Sequence, residues 1–260
     1  MNLDAVRELF DTEMRRGAPG ERVGPAAGHV VRHTSDARGW NAVLWSDLTE
    51  QTADAVIAEQ VRHYTALGLD FEWKHYSHDR PEDLPRRLRA AGFVPEDPEA
   101  VMVAETAGLA VPPVLPDGVR LVEVTDAAGI DLMVRAHDLA FGTDGTRIGQ
   151  QVLDRLTEAP DTVSVVVALA GDEPVSAARA EFDPGTRFAS LWGGGTAPEW
   201  RGRGIYRALV AHRARTAAAR GYHYLQSDAV LDTSRPILQR LGFAQISVTT
   251  PYNYSVAARG

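Results

Sequence analysis

From residue 119 onward the chain alternates between two hydrophobic periods. Val119 to Val124 alternates as a short strand, and Asp126 stands as an N-cap before apolar positions at helical spacing, Leu132, Ala136 and Leu139, running to Phe141. A second helix is predicted from about Ile148 to Glu158. Val163–Ala170, Val175–Phe182 and Phe188–Thr196 are strand-like and separated only by the turn sequences GDEP and DPGT, which predicts an antiparallel meander. A helix follows (Ile205–Arg220, ended by Gly221), then a strand (222–229), a helix (about 233–241, ended by Gly242) and a last strand (243–254). Strands that alternate with helices call for parallel pairing, so this half predicts a mixed sheet flanked by helices, an α/β arrangement.

The earlier part carries a weaker echo of that order. Asn41–Leu48 reads as a strand, Glu50–Leu67 as a helix followed by Gly68, Phe71–Ser77 as a strand, Glu82–Ala91 as a helix and Val101–Glu105 as a strand. DLPRRLRAAGF (83–93) and SRPILQRLGF (234–243) both end a helix with Gly-Phe, and their preceding strands begin 21 residues before Gly92 and 20 before Gly242. Two degenerate copies of one fold would give this pattern, as would a common helix-to-strand turn with a left-handed glycine cap. Between the parts, GLAVPPVLPDG (108–118) interrupts periodicity with three prolines and two glycines, as a linker would. The expected division is therefore 1–107, a linker at 108–118, and 119–260.

Composition narrows the function classes. With 35 acidic against 27 basic side chains the 260-residue chain carries a formal charge of −8, which lacks the net field expected of a nucleic-acid or anionic-membrane binder. It has no cysteine, hence no disulfide framework, thiolate metal site or Cys nucleophile. No stretch approaches the ~20 apolar residues of a membrane span, and the N-terminus lacks a signal-peptide core, so a cytoplasmic location is expected. Every basic residue except Lys74 is arginine. His75 and His78 in HYSH fall on opposite strand faces and do not suggest a metal site. The aromatics Trp40, Trp45, Phe71, Trp73 and Tyr76 read as core rather than as a ligand wall.

Chemistry concentrates in GGGTAPEWRGRGIYRALVAHRAR (193–215). A strand ends at Thr196, Pro198 stops it, and Arg201-Gly202-Arg203-Gly204 form a loop directly before a helix. Glycines there let backbone approach a ligand, the helix start offers unpaired N–H groups with partial positive charge, and the arginines add donors for an anion. Such a turn holds a pyrophosphate. The segment resembles the GNAT superfamily of acetyl-CoA-dependent N-acyltransferases, whose loop is Q/RxxGxG/A after the fourth strand: Arg201 and Gly204 match, and Tyr206 replaces the final small residue. The order of elements over about 119–254 matches the family as well. The resemblance implies a GNAT fold, in tandem if the first part is a degenerate copy, with acetyl-CoA as cosubstrate. It places Gly194, Gly195 and Thr196 along the pantetheine, and Arg201, Gly202, Arg203, Gly204, Ile205, Tyr206 and Arg207 at the pyrophosphate. The fourth and fifth strands splay in the family, and three glycines at 193–195 suit that opening.

Catalysis needs a proton acceptor for the amine and benefits from an acid for the leaving thiolate. The Tyr that serves as acid in many family members falls on Leu238, which leaves Tyr206, Tyr252 and Tyr254 as candidates. The family's fifth-strand carboxylate falls near Gln226, with Asp228 two residues on, on the same strand face; Glu199 is the other nearby carboxylate. The expected activity is transfer of acetyl to a primary amine of a small molecule or peptide, by a monomer or homodimer, with a cationic amine suiting the acidic chain. Two alternatives stand beside it. A non-catalytic acyl-CoA sensor or scaffold would keep the loop without turnover. A dinucleotide oxidoreductase is opposed by Arg207 at the third Gly of GxGxxG and by the short remainder of the chain.

Overall fold

A computed structural model describes residues 1–24, 30–35 and 39–256. The chain forms two compact units, one of residues 1–102, 228–237 and 245–260, the other of 103–227 and 238–244. The chain changes unit at Met102/Val103, ahead of the proline-rich break, and most of the C-terminal strand belongs to the first unit. Strand pairing is the reason, as set out below; residues 257–260 of the expected C-terminal domain lie outside the described residues.

In the first unit α1 (Leu3–Phe10) runs into a π-helical turn over Asp11–Arg16, followed by β1 (Glu21–Val23), β2 (Val30–His33), β3 (Ala42–Ser46), α2 (Ala53–Leu67), β4 (Phe71–Tyr76), α3 (Leu84–Ala90) and β5 (Val94–Pro95). β6 (Glu99–Glu105) and the short α4 (Thr106–Leu109) follow in the chain. β1, β2 and β3 pair antiparallel, whereas β3 and β4 are parallel with α2 as the crossover. Thr49 and Thr52 hold each other's backbone and side-chain groups ahead of α2, which delays its start to Ala53 against the predicted Glu50. Tyr64 stacks on Phe71 at 4.2 Å, and Ile57, Leu84, Leu88, Trp73 and Phe93 close the core around them. Trp73 is buried as expected of core, while Trp40 is exposed.

The second unit contains β7 (Val119–Val124), α5 (Ala127–Phe141), α6 (Thr146–Glu158), β8 (Val163–Ala170), β9 (Glu173–Phe182), β10 (Phe188–Thr196), α7 (Ile205–Ala219) and the start of β11 (Tyr224–Val230). Asp126 caps α5, its Oδ1 accepting from Gly129 N–H at 2.9 Å. β7, β8, β9 and β10 form the antiparallel meander, and β11 joins β10 in parallel. Successive β9 side chains face opposite ways: Ala177 packs with Val165, Val167, Ile130 and Met133 toward α5 and α6, and Ala178 packs with Ile205 and Leu209 of α7. The last elements are α8 (Ser234–Arg240) and β12 (Ala244–Tyr254). β12 pairs antiparallel with β4 from Thr249↔Tyr76 to Tyr254↔Phe71, which assigns it to the first unit. No helix among the described residues is long and apolar enough to cross a membrane.

Candidate functional site

Parallel pairing of β10 with β11 runs over Phe188–Ser190 and Tyr224–Gln226, while β10 itself continues to Thr196. On its other edge the register against β9 shifts between Trp192 and Gly195, a β-bulge at Gly193-Gly194. Each glycine there has its own reason. Gly193 takes φ +58°, the left-handed region, and a Cβ on it would lie 3.2 Å from Arg179 Nη1. At Gly194 a Cβ would lie 2.9 Å from the Tyr206 ring, and at Gly195 it would meet Phe141 at 2.5 Å and Ala140 Cβ at 2.8 Å. Tyr206 and Arg213 thus crowd the bulge from the α7 side, Arg179 and Phe141 from the α5 side. Ser176, wholly buried, fixes the strand end by donating to Gly195 O at 2.6 Å.

Beyond the strand, Pro198–Trp200 makes one 3-10 turn, and Gly202 and Gly204 take φ +75° and +85° with open space around both. Gly204 is the N-cap of α7 and offers no side chain, and the first helical bond is Ala208 N–H to Gly204 O at 3.0 Å. The N–H groups of Ile205, Tyr206 and Arg207 therefore precede any intrahelical partner, at the positive end of a 15-residue helix. Arg201 is a clamp: its Nε donates to Thr196 O at 3.0 Å and its Nη2 to Ala140 O at 2.8 Å, tying the loop to the strand end and to the C-terminal turn of α5. Arg203 stacks over Trp200, 4.7 Å from the ring centroid.

Tyr206 opens α7, and its ring lies against Gly194. Asp228 belongs to the first unit, where its Oδ2 accepts from Lys74 Nζ at 2.7 Å. Burial works against the Lys74 ammonium, and Asp228 outweighs it, holding the group above its ordinary pKa. The chain's single lysine is thus the ion-pair partner of the carboxylate proposed as base. Tyr252 and Tyr254 are buried in the first unit's core, Leu238 is buried, and Glu199 is exposed. His78 lies beyond β4 and joins a buried polar group: its Nδ1 lies 2.9 Å from Ser247 Oγ, its Nε2 2.7 Å from Asp11 Oδ2, and Arg15 bridges Asp11 and Asp79 at 2.7 Å each.

Three side chains at the bulge escaped the sequence reading: Arg179, Arg213 and Phe141. The signal for Arg213 was present, since it falls four residues after Leu209 on the apolar stripe of α7, where a charge is out of pattern. Burial depresses the Arg213 guanidinium below its ordinary value, and Tyr206 partly offsets this. Its Nε donates to Leu209 O at 3.1 Å and Nη1 to Arg179 O at 3.3 Å, while Nη2 is buried beside Tyr206 with no regular hydrogen-bond partner among the described residues. Cavities of about 540 and 570 Å³ are lined by first-unit residues such as Arg62 and Arg87, or Trp40 and Glu72, and not by the loop.

Comparison with known proteins identifies the class. Residues 131–243 match the acetyltransferase (GNAT) family, so this segment is a GNAT domain. Solved structures extend the fold likeness to nearly the whole chain. A GCN5-related N-acetyltransferase from Kribbella flavida aligns with TM-score 0.71 at 15% identity, over 96% of this chain and 95% of that one. A GCN5-related N-acetyltransferase from Sphaerobacter thermophilus aligns at 0.63 and 14%, over 97% and 92%. A tandem GNAT protein from the clavulanic acid biosynthesis pathway aligns at 0.64 and 12%, over 98% and 96%. The chain thus shares the fold of these GNAT proteins over nearly its whole length, and the family match itself covers residues 131–243. No curated protein matches the sequence.

Proposed function

We propose that the protein is an acetyl-CoA-dependent N-acetyltransferase that passes acetyl directly from the thioester to a primary amine. The observation that carries this reading is the strand–loop–helix junction, where three N–H groups at the start of α7, without intrahelical partners among the described residues, follow two glycines in open space. That arrangement fits a pyrophosphate. Arg201 would hold the loop in shape through Thr196 and Ala140, and Arg203 would add charge at its rim. The glycines of the bulge, where β10 lacks regular pairing, would leave backbone groups for the pantetheine amides.

Acetyl-CoA supplies the activated acyl group. The neutral amine forms the new C–N bond as the C–S bond breaks; the amine's proton leaves to a base or water, and the thiolate takes a proton. Tyr206, whose ring lies against Gly194 at the bulge, is the proposed acid, and Asp228 is the proposed base. Calorimetric titration with acetyl-CoA tests the reading. Wild type binds; Gly204→Glu, which adds a charge and a Cβ at φ +85°, abolishes binding, and Arg201→Ala weakens it. Unchanged binding in Gly204→Glu overturns the loop assignment, and tight binding with no turnover on any amine favours the sensor reading.

A further inference from the structure

We infer that the acceptor amine carries an anionic group, of carboxylate type, which Arg179 receives at the β10 bulge; this rests on the acetyltransferase reading. Arg179 projects from β9 toward the α5 and α6 side, with the side chain about four-fifths buried. Its Nε donates to Glu181 Oε1 at 2.9 Å, and Nη1 and Nη2 have no acceptor among the described residues. Glu181 does not neutralise it alone, because Arg155 Nη1 holds the other oxygen of the same carboxylate at 2.6 Å. Behind the strand, the wholly buried Arg213 adds a third guanidinium against the backbone carbonyl of Arg179. Asp183, the next carboxylate facing this cluster, is pushed toward its neutral form by burial, which Arg155 opposes. In a chain of net charge −8 the bulge therefore keeps local positive charge and two free, parallel donors.

Their surroundings define the rest of the acceptor. Arg179 lies over Trp192, 5.8 Å from the ring centroid, and Trp192 and Phe141 are both exposed on either side of the glycine triplet. His137 packs against Phe141 at 4.8 Å and, with Met133 and Gly193, joins Arg179 around a crevice of about 10 Å³, room for one oxygen atom. A guanidinium fork held against an indole matches a carboxylate in geometry as well as charge, and the two exposed rings suit a flat apolar portion. An amino acid with an aromatic or large apolar side chain combines all three features. A polyamine or other polycation would instead meet repulsion here.

The test compares phenylalanine with phenylalaninamide as acceptors, reading kcat/KM across pH so that the amines are compared in the same protonation state. Wild type prefers the carboxylate by about tenfold or more, and Arg179→Met brings the ratio close to one, while Arg179→Lys restores part of it. Equal use of both acceptors by wild type, use of neither, or a ratio unchanged in Arg179→Met overturns the inference. Acetyl-CoA binding measured on the same preparations separates the two layers: its loss in wild type sinks the acetyltransferase reading, whereas intact binding without carboxylate preference sinks the acceptor inference alone.

Discussion

The fit between Gly194 and Tyr206 accounts for the departure from the GNAT loop pattern and can be measured by a double-mutant cycle. Gly194→Ala would put a methyl group 2.9 Å from Tyr206 Cε2 and 3.5 Å from Arg213 Nη2. Carbon atoms are best placed at roughly 3.5–4.0 Å, so the ring must move or the strand must shift. Overpacking of that kind costs ~1–3 kcal/mol. Because Gly194 has no left-handed φ, alanine also restricts the unfolded chain, returning roughly 0.4–1 kcal/mol. The expected net loss is about 1–2 kcal/mol. In Tyr206→Ala the obstructing ring is gone, and Gly194→Ala becomes neutral or stabilising, for a coupling of roughly 1–3 kcal/mol. Urea unfolding followed by tryptophan fluorescence, with Trp192 and Trp200 in this unit, gives the four stabilities. If Gly194→Ala costs the same in both backgrounds to within about 0.5 kcal/mol, the ring is not what requires glycine at this position.

Arg15→Ala strands Asp11 and Asp79, both largely buried, and is expected to destabilise by ~3–5 kcal/mol in thermal unfolding; a loss below about 1 kcal/mol contradicts the buried network. For Asp11, burial raises the carboxyl pKa, but the His78 bond and Arg15 outweigh it and leave it below the ordinary 3.8. Its contribution is therefore whole above pH 3.8 and lost as the pH falls through the lower native value, so Asp11→Asn should flatten the stability profile in that acid window. Asp228→Asn leaves the Lys74 ammonium without its partner and should cost several kcal/mol, on the order of 3, with Lys74→Met in the same chain recovering most of it. A pH–rate profile that keeps its shape and height in that double variant removes Asp228 as the base.

Elements bounded by strong local signals were legible from residues alone. Val163–Ala170 is a strand to the residue because β-branched side chains fill it and turns close both ends. The Asp126 cap and the start of α7 at Ile205 follow from cap chemistry and a glycine loop, which act within four residues. The first unit was read less fully: α1, β1 and β2 span only 8, 3 and 4 residues, too short for a periodic pattern to stand out in the sequence. The site shows the same divide. The loop at 201–204 was visible as a pattern, whereas the role of Arg201 was not, since its acceptor Ala140 O lies 61 residues away in sequence.

By itself the sequence determined what local chemistry determines: two series of strands and helices, the glycine-arginine loop opening a helix, and the match of residues 131–243 to the acetyltransferase (GNAT) family. Tertiary structure decided everything that depends on which distant segments meet. β12 pairs antiparallel with β4, a strand far earlier in the chain. Lys74 finds Asp228 across 154 residues, and the guanidinium groups of Arg179 from β9 and Arg213 from α7 meet at one bulge, while Arg155 from α6 shares Glu181 with Arg179. Hydrophobic periodicity states which face of an element is buried; which charges share that burial is fixed only when the elements pack.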